Sequence, residues 1–322
     1  MRYVFRLAFA LMLMAGMAAA NPSLWKSEWP DTDFNKTSVK NWKEIMSGGP
    51  PKDGILALND PPFIKAGEER RIKDNEPVIT VEIDGAKPRA YPIRYLMWHE
   101  IVNDMVGGVP VAVTYCPLCN TGIAFDRRTS RGTLTFGVSG KLRKSNLVMY
   151  DRETQSWWQQ AVGRAIVGDL TGTKLKSLTS WTESWGQFKS RNPRGLVMDE
   201  PNYSRQYGFN PYRGYDRQNQ PFLYNGELPP NGVPALARVV RVGDRAWLMT
   251  RIRDEGGINE AGISLSWESG QASALDSSVI SEGRDVGTVR VRDGQGRDVV
   301  HDIMFAFAFH AFWPDGKWML AK

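Results

Sequence analysis

Apolar and polar positions change places in short runs along most of this chain, and the dominant period is two. Val78 to Ile83 alternates and ends on Asp84-Gly85, after which Ala86 to Tyr91 returns, a pattern that predicts a hairpin. Val111 to Tyr115 and Ile123 to Phe125 flank Cys116-Pro117-Leu118-Cys119, which predicts a tight turn between two buried strands. Thr133 to Val138, Asn146 to Asp151, Trp157 to Val162 and Ala165 to Val167 are short, β-branched or aromatic, and bounded by turn residues. Further strands are expected at Ala237 to Val242, Ala246 to Thr250, Ser264 to Glu268 and Thr288 to Arg292.

Helical spacing is scarcer. Pro92 opens a stretch from Ile93 to Met105 with Leu96, Ile101 and Met105 apolar, and Thr182 to Lys189 and a short piece near Val39 to Ser47 also read as helix. Ile303 to Trp313 has two readings. As a strand it sets Phe305, Phe307 and Phe309 on one face and Met304, Ala306, Ala308 and His310 on the other; as a buried helix that division is lost.

These elements predict an α+β fold, predominantly an antiparallel β meander with a few short helices, in a single large domain. No fixed-period repeat is visible, which argues against a propeller or solenoid. Residues 21–75 are broken by Pro22, Pro30, Pro50-Pro51 and Pro61-Pro62, and read as a strap over the main β-rich domain, 76–322, pinned by Trp25, Trp29 and Trp42. Gly195 to Pro234 is rich in turns and tyrosine and reads as a long surface excursion.

Residues 1–20 follow another logic. Arg2 and Arg6 precede an almost wholly apolar run from Leu7 to Met17 and then Ala18-Ala19-Ala20, the pattern of a secretory signal peptide. The expected mature chain is periplasmic or secreted, with no stable membrane span after signal cleavage. Loss of Arg2 and Arg6 lowers the formal charge from +6 to +4, and the remaining basic residues are interleaved with acids, so no nucleic-acid partner is expected. Twelve tryptophans are ample for a core, and two cysteines are too few for a disulfide scaffold.

That leaves the cysteine pair free for chemistry, and three readings stay open. Cys116 and Cys119 could be catalytic, one thiolate attacking and the other resolving, although no helix is expected after them to lower a thiol pKa. They could hold a soft metal, zinc or copper, if His99, His301, His310 or a carboxylate completes the site; the ligand set of choice is Cys116, Cys119, His99 and His310. They could form a structural disulfide. His99-Glu100 is not a zinc-protease motif, since Asn103 stands where the second histidine belongs. Gly137-Val138-Ser139-Gly140 lacks the frame of a nucleophile elbow. Asp151 to Trp158 joins a turn to tandem tryptophans, a conceivable sugar platform, though such tryptophans are more often core.

Ala90-Tyr91-Pro92-Ile93, Trp98-His99-Glu100-Ile101-Val102-Asn103, Thr114-Tyr115-Cys116-Pro117-Leu118-Cys119, Phe136-Gly137-Val138-Ser139-Gly140, Met149-Tyr150-Asp151-Arg152 and Ser156-Trp157-Trp158 occur in this order. Together they resemble the bacterial family catalogued as domain of unknown function 3179, over about Asp60 to Pro314. The resemblance implies one architecture, and implies that His99, Glu100, Cys116, Cys119, Ser139, Asp151 and Trp158 lie in signature segments, with Ser139, Asp151 and Trp158 as ligand-binding candidates. Trp157 stands where a small residue is expected. The function expected is an exported protein that binds a soft metal ion or a small thiol-reactive ligand through the cysteine hairpin. The alternatives are a periplasmic thiol-disulfide oxidoreductase and a non-enzymatic carbohydrate- or partner-binding module with a structural disulfide.

Overall fold

Where apolar residues alternate, the chain forms strands, and strands need partners for their backbone donors and acceptors. The computed structural model describes residues 22–320, so the proposed signal peptide, 1–20, lies outside the described residues. Strand makes up 36% and helix 15%, so the single domain is mostly β with a few short helices. Among the described residues no helix is long and apolar enough to cross a membrane.

The strands fall into five main sheets arranged as a five-bladed β-propeller, which overturns the argument against a propeller. The first sheet joins Ile45–Ser47 to Phe136–Arg143, Asn146–Asp151, Trp157–Gln159 and Arg164–Val167. The second runs Lys176–Ser177, Thr121–Asp126, Val109–Cys116, Ile101–Val106, Leu58–Asn59, and the third Ser180–Ser184, Pro77–Val81, Arg89–Pro92, Leu196–Met198, Phe63–Lys65. The fourth has four strands around Arg238–Val242, and the fifth has three, Ile258–Glu260, Ile263–Glu268 and Thr288–Asp293. The repeat is invisible in sequence for a physical reason. The blades differ in strand number, and four of them take strands from distant stretches, so no common period survives.

Most neighbouring strands pair antiparallel, as alternation with short turns predicts. The parallel exceptions involve strands of two to four residues, such as Leu58–Asn59 against Ile101–Val106. The first hairpin pairs Pro77–Val81 with Arg89–Pro92, and the cysteine hairpin pairs Val109–Cys116 with Thr121–Asp126, Cys116 opposite Thr121.

Three expected elements are corrected. The helix from Pro92 stops after Ile93–His99, and Ile101–Val106 is a strand, because β-branched Ile101, Val102 and Val106 complete a sheet with Val109–Cys116. The last apolar run is strand only over Asp302–Phe305 and helix over Ala306–Phe312. Phe307, Phe309, Ala306 and Ala308 are all buried, so this helix is apolar nearly all round and the proposed two-faced strand ending in His310 does not exist. Thr182 to Lys189 likewise divides into strand Ser180–Ser184 and helix Trp185–Arg191, with Ser184 and Gln187 forming a capping box.

The segment before the first blade packs through aromatics. Trp29 meets Tyr150 and Trp157 edge-on at 4.9 and 5.2 Å, and Trp25 lies 5.2 Å from Trp157. Ile45–Ser47 then closes the edge of that sheet against Phe136–Arg143.

Candidate functional site

The turn that carries the cysteines is fixed from several sides. Pro117 locks one torsion, Asn120 N–H donates to Pro117 O at 3.1 Å, and Tyr115 Oη donates to Asn120 Oδ1 at 3.2 Å. Asn120 takes a positive φ of 51°, tolerable for asparagine. Both thiols are free and almost wholly buried.

A second turn meets them. Lys144 and Ser145 form the two-residue hairpin turn between Phe136–Arg143 and Asn146–Asp151, both with positive φ, where Asn-Gly is the favoured pair. This places Ser145 O 3.2 Å from Cys119 Sγ and 3.9 Å from Cys116 Sγ. Ser145 Oγ donates to Phe222 O at 2.5 Å, and Tyr215 Oη donates to Leu118 O at 2.9 Å. The turn-rich excursion is therefore a cover over the cysteine turn.

The two sulfurs are not equivalent. Burial works to raise the Cys116 thiol, but the Cys119 thiol and the backbone N–H groups of Leu147, Cys119 and Leu118 donate to it and hold it below its ordinary value. Burial pushes Cys119 up, and so do the hydrogen bond to Cys116 and the charge there. Turn amides thus stabilise a thiolate here without a helix N-terminus.

Beside Cys116 lies Glu100. It ends the helix with φ 58° and ψ −33°, donates its N–H to Leu96 O and accepts from Tyr115 N–H at 2.8 Å each. Its carboxyl makes no hydrogen bond or ion pair with another described residue, although the residue is only 8% exposed. Burial first, and the Cys116 charge second, push it up to about 8. A cavity of about 120 Å³ is lined by Glu100, Cys116, Tyr212, Phe222 and apolar groups including Ile55 and Leu147, but not by Cys119. Phe222 is 45% exposed, so the cavity reaches the surface there.

The other expected site residues are held elsewhere. His99 is buried, with Nδ1 2.7 Å from Leu56 O and Nε2 2.6 Å from Tyr207 Oη, and burial holds it below its ordinary value. His310 Nε2 lies 3.9 Å from Glu227, and His301 sits between Val299 O and Val289 O. Among the described residues no group of three or more His, Cys, Asp or Glu is close enough to hold a metal ion, so the set Cys116, Cys119, His99 and His310 is not brought together. Ser139 Oγ donates to Val148 O and accepts from Lys141 N–H at 3.0 Å, which satisfies the bulge between Val138 and Lys141. Gly140 follows because a Cβ there would collide with Pro50 O. Asp151 accepts from Trp158 Nε1 at 2.7 Å and from the Thr154 N–H and hydroxyl, while Trp158 is fully buried against Phe136. Neither offers a free face to a sugar.

Tyr212, Leu147 and Ser145 are missing from the reading of the sequence. They sit in turns or on strands with no motif of their own, and only the fold carries them to the cysteines. Glu100 left a signal, an acid between apolar runs.

The class is therefore a β-propeller with one pair of free cysteines at a hairpin tip, of which Cys116 faces a small cavity that holds an unpaired carboxyl. A family model described as protein of unknown function (DUF3179) matches residues 52–316, and the chain belongs to that family. The match contains Glu100, Cys116, Cys119 and Tyr212. No curated protein and no solved structure matches the chain.

Proposed function

We propose that Cys116 and Cys119 are a redox-active dithiol and that the protein exchanges thiols with disulfides in an exported compartment. One observation carries this reading: Cys116 alone of the two sulfurs lines the cavity, while Cys119 lies fully buried behind it. That is the order an attacking and a resolving sulfur require. Cys116 Sγ attacks one sulfur of a disulfide RSSR′; the S–S bond breaks, Cys116–S–SR forms, and R′S⁻ leaves, taking up a proton in place of the one lost from Cys116. Cys119 Sγ then attacks Cys116 Sγ, RS⁻ leaves with the Cys119 proton, and the protein holds a Cys116–Cys119 disulfide. Two electrons pass from the dithiol to the substrate, and a dithiol acting in reverse restores the protein. An oxidising compartment suits this, and we propose that residues 1–20 direct the chain there.

The test uses the reduced full chain and a small disulfide, followed by intact mass. Wild type should end two hydrogens lighter, Cys119→Ser should stop as a mixed disulfide, and Cys116→Ser should not react. Stoichiometric zinc or copper retained by the reduced wild type and lost from Cys116→Ser, with no exchange, would overturn this reading in favour of soft-metal binding.

A further inference from the structure

The cavity beside Cys116 is small. An engineered apolar cavity of roughly 150 Å³ takes a benzene, so about 120 Å³ admits a molecule of about six heavy atoms or fewer. Its walls are largely apolar: Ile55, Leu118, Val138, Leu142 and Leu147 take part. Of its two ionisable side chains besides Cys116 and Tyr212, Lys141 is already spent, with Nζ 2.8 Å from Glu28 Oε2. The other is Glu100, whose carboxyl is unpartnered. Tyr212 Oη makes no hydrogen bond with another described residue either. A charged substrate finds no free counter-ion there, and burying an unpaired charge is costly. A neutral one finds a reactive sulfur, an unpaired carboxyl and a phenol.

We propose that this cavity binds small, uncharged dialkyl disulfides and that Glu100, protonated while Cys116 is the thiolate, gives its proton to the leaving sulfur. This rests on the dithiol reading above. The Cys116 proton is lost to solvent as the thiolate forms; when R′S⁻ departs, the Glu100 carboxyl gives up its proton to form R′SH, and the resulting carboxylate takes a proton back from solvent through the mouth of the cavity at Phe222. Burial keeps the carboxyl protonated near neutrality, which makes it a donor at the pH where the thiolate is formed. The backbone torsion of Glu100 fits the same picture, because strained torsions are retained where the surroundings over-determine them.

Three probes separate the parts of the proposal on the reduced full chain: dimethyl disulfide, glutathione disulfide and methyl methanethiosulfonate. Each rate is divided by the rate of the same reagent with free dithiothreitol. Dimethyl disulfide should then be favoured over glutathione disulfide by about 100-fold or more, since the latter is far larger than the cavity and charged. Glu100→Gln should lose about 10- to 100-fold with dimethyl disulfide, within the range for general acid catalysis. With methyl methanethiosulfonate, whose sulfinate leaves without a proton, it should react within about threefold of wild type. That reagent also reports whether the variant keeps its cavity. If glutathione disulfide reacts as fast as dimethyl disulfide, the substrate class is wrong. If Glu100→Gln slows both small reagents equally, or neither, Glu100 is not the proton donor. If none of the three oxidises the pair, the dithiol reading itself fails.

Discussion

Glu100 joins burial, an unpartnered carboxyl and a positive φ in one side chain, and each of these costs stability. Its pKa is about 8 in the fold against an ordinary 4.5, so its contribution is intact below about 4.5 and is lost as pH rises through 8, where the folded protein must ionise a buried acid. Glu100→Gln removes that ionisation. The variant should melt higher than wild type, with a gap that widens from pH 5 to pH 8.5 in calorimetry; a gap that narrows would contradict the assignment. Trp158 and Asp151 give the opposite case. Trp158→Phe removes one hydrogen bond from a buried carboxylate and should cost about 1–3 kcal/mol in denaturant titration while leaving the rate of Cys116 alkylation unchanged. A loss of ligand binding without loss of stability would restore the sugar-platform reading. The cysteines were legible because they are the only two in the chain, whereas Glu100 was legible as a neighbour of His99 and not as a partner of Cys116. Sequence spacing says nothing of which buried groups share a cavity.

Hairpins could be read wherever short alternating runs followed one another, as on either side of Asp84-Gly85 and from Ala237 to Val242 into the run that starts at Ala246, and those strands pair as expected. Reading failed where an apolar run changed state inside itself. Ile93–His99 passes into strand at Glu100, and Asp302–Phe305 passes into helix at Ala306, with no glycine or proline to mark either change. Tertiary packing decides such borders, and composition does not. The Lys144-Ser145 turn is a further case, since its residues are not those its torsions prefer. Its position against the cysteines explains why the strain persists. Lys144→Asn should relieve it and raise stability by roughly 0.5–1 kcal/mol, read from the urea midpoint. A fall would mean that the Lys144 Nζ bond to Ala311 O, 3.1 Å long, outweighs the torsion.

The five blades are held by packing, and the excursion that roofs the site is held by charge. Asp216 is fully buried and accepts from Arg238 at 2.7 Å, Arg284 at 3.0 Å and Ser273 Oγ at 2.5 Å, next to the Tyr215 whose hydroxyl meets the cysteine turn. Removing one partner of such a cluster leaves the others uncompensated, so Asp216→Asn should cost about 3–5 kcal/mol. It should also speed iodoacetamide capture of Cys116 by loosening the cover, and an unchanged capture rate would show that the roof is anchored elsewhere.

The first blade is finished by a strand from before residue 48, and the link that follows, Gly48-Gly49-Pro50-Pro51, runs on to form part of the cavity wall through Gly48 and Pro50. A protease that nicks this link and lets the leading piece dissociate would bare an unpaired sheet margin and its tryptophan-lined face in one event, and unroof the reactive sulfur in the same cut. Aggregation and over-oxidation of trimmed protein should therefore arise together, and preserving the intact amino-terminal segment during purification guards against both.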